Sequence, residues 1–125
     1  MGIDIYAKWA GMSEQECDAQ AEAWLTNQGG GVGYLREAYH GAPYPSHHLV
    51  REVFEGPTVA EIPAHVLRER LPETLRLAEV RARTVYELTD PAEIEDEVKQ
   101  YREFVEFCEE REAQTGEPPI VHGWW

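Results

Sequence analysis

The sequence predicts an α+β domain in which a small sheet packs on a long antiparallel helical hairpin. Three observations lead there. Ile3, Ile5, Ala7 and Trp9 alternate with Asp4, Tyr6 and Lys8, the two-residue period of a half-buried strand. Apolar residues then recur at a spacing of 4, 3, 4, 3 through Leu71, Leu75, Ala78, Ala82 and Val85, and again through Ile94, Val98, Tyr101, Val105 and Cys108. Between the seams lies Thr89-Asp90-Pro91, cap residues followed by proline at a first helical position. Two long helices with matching seams and so short a connection fold back on each other.

The remaining elements follow from local signals. Gly11 ends the first strand, and Ser13 with Glu16 makes a capping-box pattern that opens a helix over residues 13–27, with Ala19, Ala23 and Trp24 on one face. Gly29, Gly30, Gly31 and Gly33 stop it, because each glycine costs a helix about 1 kcal/mol. Residues 34–40 lie between glycines and read as a strand, while residues 47–54 read as a short helix or an irregular segment closed by Gly56-Pro57. Pro63 suits a helix start near Ile62, and Pro72 predicts a break or kink, giving a short helix that leads into a long one. Gly116 ends the last helix, Pro118-Pro119 is extended, and Ile120-Val121 suits a strand. Trp124 and Trp125, at the end of the sequence, are expected to pack on the body or on another subunit.

Composition narrows the classes of function. The 125 residues carry 24 Asp+Glu against 11 Lys+Arg, a net charge of -13, and 42% of them are apolar, enough for one core and one domain spanning residues 1–125. Residues 91–125 hold ten acids and three bases, so the acidity peaks in the second hairpin helix. Such a field repels phosphates, which argues against direct nucleic-acid binding; an acidic helix either is a solvated face that keeps the protein soluble or steers a basic protein partner. Arg76, Arg81 and Arg83 on one hairpin helix face Glu95, Glu97, Glu103 and Glu106 on the other, so interhelical pairs of a few tenths of a kcal/mol each are expected. No stretch has the roughly 20 apolar residues of a membrane span, and Asp4 and Lys8 interrupt any signal-like start, so the expected location is cytoplasmic. Cys17 and Cys108 lack the paired spacing of a zinc or redox motif and read as reduced thiols.

Residues 29–48 concentrate chemically capable side chains. After the glycines come Tyr34, Arg36, Glu37, Tyr39, His40, Tyr44, His47 and His48. Arg36 offers a bidentate fork to an anion, and the aromatic residues offer stacking surface and directional hydrogen bonds, so Tyr34, Arg36, Tyr39 and His40 form the candidate ligand-binding set. The glycine run lacks the Gly-Lys-Ser/Thr ending of a phosphate loop. A metal would need His40, His47, His48 and Glu37 to converge across the Pro43-Pro45 loop, and neighbouring histidines point apart, so neither metal nor cofactor is expected. Glu37, Tyr39 and His40 could alternatively serve acid-base catalysis.

Three blocks carry a resemblance: Met1-Gly2-Ile3-Asp4-Ile5-Tyr6-Ala7 at the start, Gly33-Tyr34-Leu35-Arg36-Glu37-Ala38-Tyr39-His40-Gly41, and Val66-Leu67-Arg68-Glu69-Arg70-Leu71-Pro72-Glu73-Thr74-Leu75. Together they resemble a family of short, uncharacterised bacterial and phage proteins. That resemblance brings no catalytic residue with it, and its phage members imply a small accessory or anti-defence binding role. The expected function is therefore non-enzymatic binding of a small anionic ligand or a protein partner, with the hairpin or the terminal tryptophans carrying any homo-oligomer. The alternative is a small acid-base enzyme working through residues 29–48.

Overall fold

The computed structural model describes residues 2–26 and 30–125. Gly29 and Asn27, the expected end of the first helix, lie outside the described residues. The elements run β1 (Gly2–Lys8), α1 (Glu14–Thr26), β2 (Tyr34–Ala38), α2 (Pro45–Leu49), α3 (Arg51–Glu55), β3 (Val59–Glu61), α4 (Ala64–Thr84), α5 (Pro91–Thr115) and β4 (Ile120–Trp124). This is an α+β architecture: four strands in the order β2-β1-β4-β3, all antiparallel, with the α4/α5 hairpin packed against one face.

Alternation decides which face is which. Ile3, Ile5 and Ala7 of β1, Leu35 of β2 and Val121 of β4 are buried with Leu67, Leu71, Ala78 and Ala82 of α4 and Val98, Tyr101, Phe104, Val105 and Cys108 of α5. The start of α4 meets the end of α5: Glu112 Oε2 accepts from the Ala64 N–H at 3.2 Å, and Arg68 pairs with Glu109. The caps form as their residue types dictate. Ser13 and Glu16 exchange hydrogen bonds of 3.1 and 3.2 Å, Asp90 accepts from the Ala92 N–H at 3.0 Å, and Gly116 is left-handed with φ 75°.

Several expectations need correction. Pro72 does not break its helix; α4 runs unbroken from Ala64 to Thr84. Pro72 is exposed, so its missing donor falls on the solvent side, while Leu67, Leu71, Thr74 and Ala78 anchor the core side above and below it. Leu75 is only half-buried, and Thr74 takes the core position, its hydroxyl donating to the Arg70 carbonyl at 2.8 Å. The expected interhelical charge pairing is met only in part among the described residues: Arg81 acts on Glu97 through space, and the close ion pair between the two helices joins Arg68 to Glu109 instead. Arg76 pairs with Glu73, Arg83 with Glu79 and Arg102 with Glu95, each within its own helix, and Arg81 turns inward. For Arg76, Arg83 and Arg102 a partner one or two turns away on the same helix is within reach.

Residues 45–55 form two short helices, and β3 is a strand of three residues without any readable period. It exists because β4 offers an open side: Gly123 N–H donates to Thr58 O at 2.8 Å and Ile62 N–H to Pro119 O at 3.2 Å. The edge at β2 is sealed instead. Gln100 of α5 donates to Arg36 O and accepts from Arg36 N–H, both at 3.3 Å, and Gly30 N–H reaches Tyr34 O at 2.6 Å. Gly33 lets the chain enter β2 against α5; its φ is 78°, and a Cβ there would sit 2.6 Å from the Phe107 ring.

Burial raises the Cys108 thiol and the Tyr101 phenol well above their ordinary ranges, with Glu37 adding to the effect at Tyr101. The folded chain therefore keeps these protons after the unfolded chain has released them. Their contribution is complete below the unfolded pKa and declines as pH rises, from about pH 9 for the thiol. Urea midpoints should fall between about pH 8 and pH 10.5, and Cys108→Ala should make that fall shallower. An unchanged slope in the variant would mean that the thiol titrates alike in both states.

Candidate functional site

The face of the sheet turned away from the hairpin carries the polar half of the alternation. The register sets it out in rows across the strands: Arg36, Asp4 and Trp124; then Tyr34, Tyr6, His122 and Val59; then Lys8, Ile120 and Glu61. Trp24 of α1 borders it. Between Trp24 and Trp124, over Asp4, Tyr6 and Lys8, lies an open groove of about 420 Å³. On the other side of Trp124 a second groove of about 290 Å³ is lined by Thr58, Val59, His122, Gly123 and Trp125. Trp124 is the ridge shared by both.

The exposure of these indoles is unusual. Trp24 is 47% exposed and Trp124 68%, with Ile120 and Val59 beside them also in solvent. Trp125 is 50% exposed and stacks on Phe54 with ring centroids 4.7 Å apart. Of the two places expected for it, Trp124 does not take the body, because its position in β4 points it to the outer face. Trp24 likewise departs from its expected helical face: Ala23 is buried and Trp24 looks into the groove.

Charge in the groove is largely matched within the floor. Asp4 Oδ1 accepts from the Tyr34 hydroxyl at 2.5 Å and from Arg36 Nη1 at 3.0 Å. Burial, then the bond to Asp4, pushes the Tyr34 phenol far up, and the Tyr34 hydroxyl and Asp4 together raise the Arg36 guanidinium. The Lys8 ammonium donates to Gln20 Oε1 at 2.5 Å and stands 5.2 Å from the Tyr6 ring centre. Burial, then Lys8, lowers His122, which favours its neutral imidazole. Chemically the surface offers flat aromatic walls, a Tyr6 hydroxyl and indole N–H donors.

The candidate set of Tyr34, Arg36, Tyr39 and His40 is divided by the fold. Tyr34 and Arg36 sit together on the outer face, Tyr34 fully buried and Arg36 tied to Asp4. Tyr39 and His40 follow the end of β2, where Tyr39 meets the Tyr44 ring edge-on at 6.4 Å and His40 meets Tyr86 at 5.9 Å. Glu37 points the opposite way, into the core, accepting from Ser46 N–H at 2.8 Å, Ser46 Oγ at 2.6 Å and the Tyr101 hydroxyl at 2.6 Å. The residues of the acid-base alternative are thus not gathered around one point. Among the described residues no group of three or more His, Cys, Asp or Glu is placed to hold a metal.

Sequence reasoning overlooked the groove itself. The alternation in β1 already turned Asp4, Tyr6 and Lys8 to one side, and the same period in β4 would have sent Trp124 to a common face with His122. What no local pattern held was that β4 lies beside β1, which brings residues 6 and 124 onto one surface. No family model, no curated protein and no solved structure matches this chain.

Proposed function

We propose that this protein acts by binding, without catalysis, and that the outer face of the sheet is where it holds a basic protein partner. The observation that carries this reading is the pair of exposed indoles, Trp24 and Trp124, flanking a groove on a face that bears further exposed apolar residues. Tryptophan, tyrosine and arginine are the residues that dominate protein interfaces, and clustered exposed apolar surface marks such sites. The net charge of -13 supplies long-range attraction for a basic partner and repels nucleic acid. A small anionic ligand loses support at Arg36, whose guanidinium is engaged by Asp4. An accessory role in a phage or other mobile element, in the cytoplasm, suits a small protein that works by occupying another protein's surface.

Photo-crosslinking tests the surface directly. A crosslinking residue at Ile120 should trap discrete partners of net positive charge in cells, the same residue at Arg83 on the far side should not, and Trp124→Ala should abolish the adducts. Identical adducts from both positions, or adducts indifferent to Trp124, would refute the assignment of the face.

A further inference from the structure

Resting on that reading of the face, we propose that the basic partner joins the sheet: an extended segment of it pairs as a further strand with the open edge of β3. It sets an apolar side chain opposite Val59 and an arginine or lysine opposite Glu61.

Register is the first argument. Gly123 N–H donates to Thr58 O and Ile62 N–H to Pro119 O, so the backbones of Thr58, Ala60 and Ile62 are the ones turned toward β4. The amides and carbonyls of Val59 and Glu61 therefore point away from β4, on the side where the sheet ends. Both residues are exposed, and among the described residues these outward groups have no hydrogen-bond partner. Donors and acceptors spaced along an extended edge are matched by another extended backbone, whereas an α-helix has spent its own internally. Pro57 and Pro63 flank the segment without an N–H and confine the pairing to it.

The second argument is how differently the two edges are finished. At β2 the chain covers itself, with Gln100 bonded to Arg36 N–H and O and the Gly30 N–H to Tyr34 O. At β3 the guards are shortness and charge alone: three residues, with Glu61 exposed at one end and Glu55 exposed just before the strand. Those carboxylates and the net charge of -13 repel an acidic strand, a second copy of this chain included. A basic strand is attracted by the same charges, so the guard selects the sign of the partner. Position is the third argument. Val59 and Glu61 end the outer-face rows that run through His122 and Ile120, and side chains directly opposite each other in a strand pair share a face. The partner's apolar and basic side chains thus extend the surface that carries Trp124.

The test uses labelled peptides of roughly six residues, the length of an ordinary strand, and fluorescence anisotropy. One peptide sets valine and arginine two residues apart among threonines, a second has the same sequence with its valine and arginine amides N-methylated, and a third carries glutamate in place of arginine. The first should bind at least about tenfold more tightly than either control, since methylation deletes the donors that face the edge and leaves side chains and charge alone. Glu61→Gln should weaken it several-fold. Glu61→Pro, which also deletes an outward N–H while leaving the bonds to β4, should weaken it further at an unchanged melting temperature. Should that variant melt early, the methylated peptide decides alone. Equal binding of the plain and methylated peptides would reduce the effect to charge and overturn the proposal, as would no binding of either. Self-association of the wild type in sedimentation, lost in Glu61→Pro, would make the occupant a second copy and overturn it too. Crosslinking at Ile120 that needs Trp124 but is indifferent to Glu61→Pro would leave the docking face standing and remove only the added strand.

Discussion

Arg81→Ala should cost the protein about 3 to 5 kcal/mol, the largest loss expected from any exchange of a charged residue here. Arg81 is only 2% exposed, and its guanidinium closes the chain between β2 and α2. Nη1 donates to Gly41 O at 2.5 Å and to Pro43 O at 3.0 Å, and Nη2 donates to Ala38 O and, at 3.2 Å, to the Tyr86 hydroxyl. The Tyr44 and Tyr86 rings lie 4.7 and 5.1 Å from its central carbon. Truncation takes the side-chain donor from the Gly41 and Pro43 carbonyls, at about 1 to 3 kcal/mol for each that stays dry, leaves Ala38 O with only the His40 N–H at 2.9 Å, and removes the cation from between the rings. Lysine does not rescue it, because one ammonium cannot reach oxygens arrayed around a planar fork. Urea denaturation measures the loss; less than about 1 kcal/mol would mean that water replaces the guanidinium without penalty.

Glu37→Ala should cost about 2 to 4 kcal/mol by the converse mechanism, leaving donors without an acceptor. Its carboxylate is fully buried and takes three hydrogen bonds, two from Ser46 at the start of α2 and one from Tyr101 of α5. Glu37 and Arg81 therefore hold the two flanks of the same connection, residues 39–44. Once either is gone the connection is loosened, so the double variant should lose less than the sum of the singles, by about 0.5 to 3 kcal/mol. Strict additivity in the cycle would show two independent anchors.

These two clamps also mark where sequence reasoning stops. Arg81 stands in the helical pattern among Arg76 and Arg83 and reads as one of three surface bases, and Glu37 sits in a polar run that reads as a site. Nothing within a turn of either residue announces burial, because the carbonyl partners of Arg81 lie about forty residues away, with only Tyr86 nearby, and the partners of Glu37 lie nine and sixty-four away. A charged residue is admitted to the interior when most of its hydrogen bonds are met there, as at both Nη atoms of Arg81 though not at its Nε, and that is a property of the assembled fold.

What the sequence determined by itself is whatever needs only near neighbours along the chain. The period of two in β1, the 4, 3 seams of α4 and α5, the Ser13–Glu16 box and the Asp90 cap are local geometry, and they suffice for the α+β class and for the helical hairpin. Only the tertiary structure decided the strand order, the existence of β3, the continuity of α4 through Pro72 and the meeting of Trp24 with Trp124 across β1. Each of those depends on which distant surfaces come together. A three-residue strand forms only against an existing edge, a proline is tolerated inside a helix where it lies on the exposed face, and two tryptophans a hundred residues apart share a groove only because β4 pairs with β1.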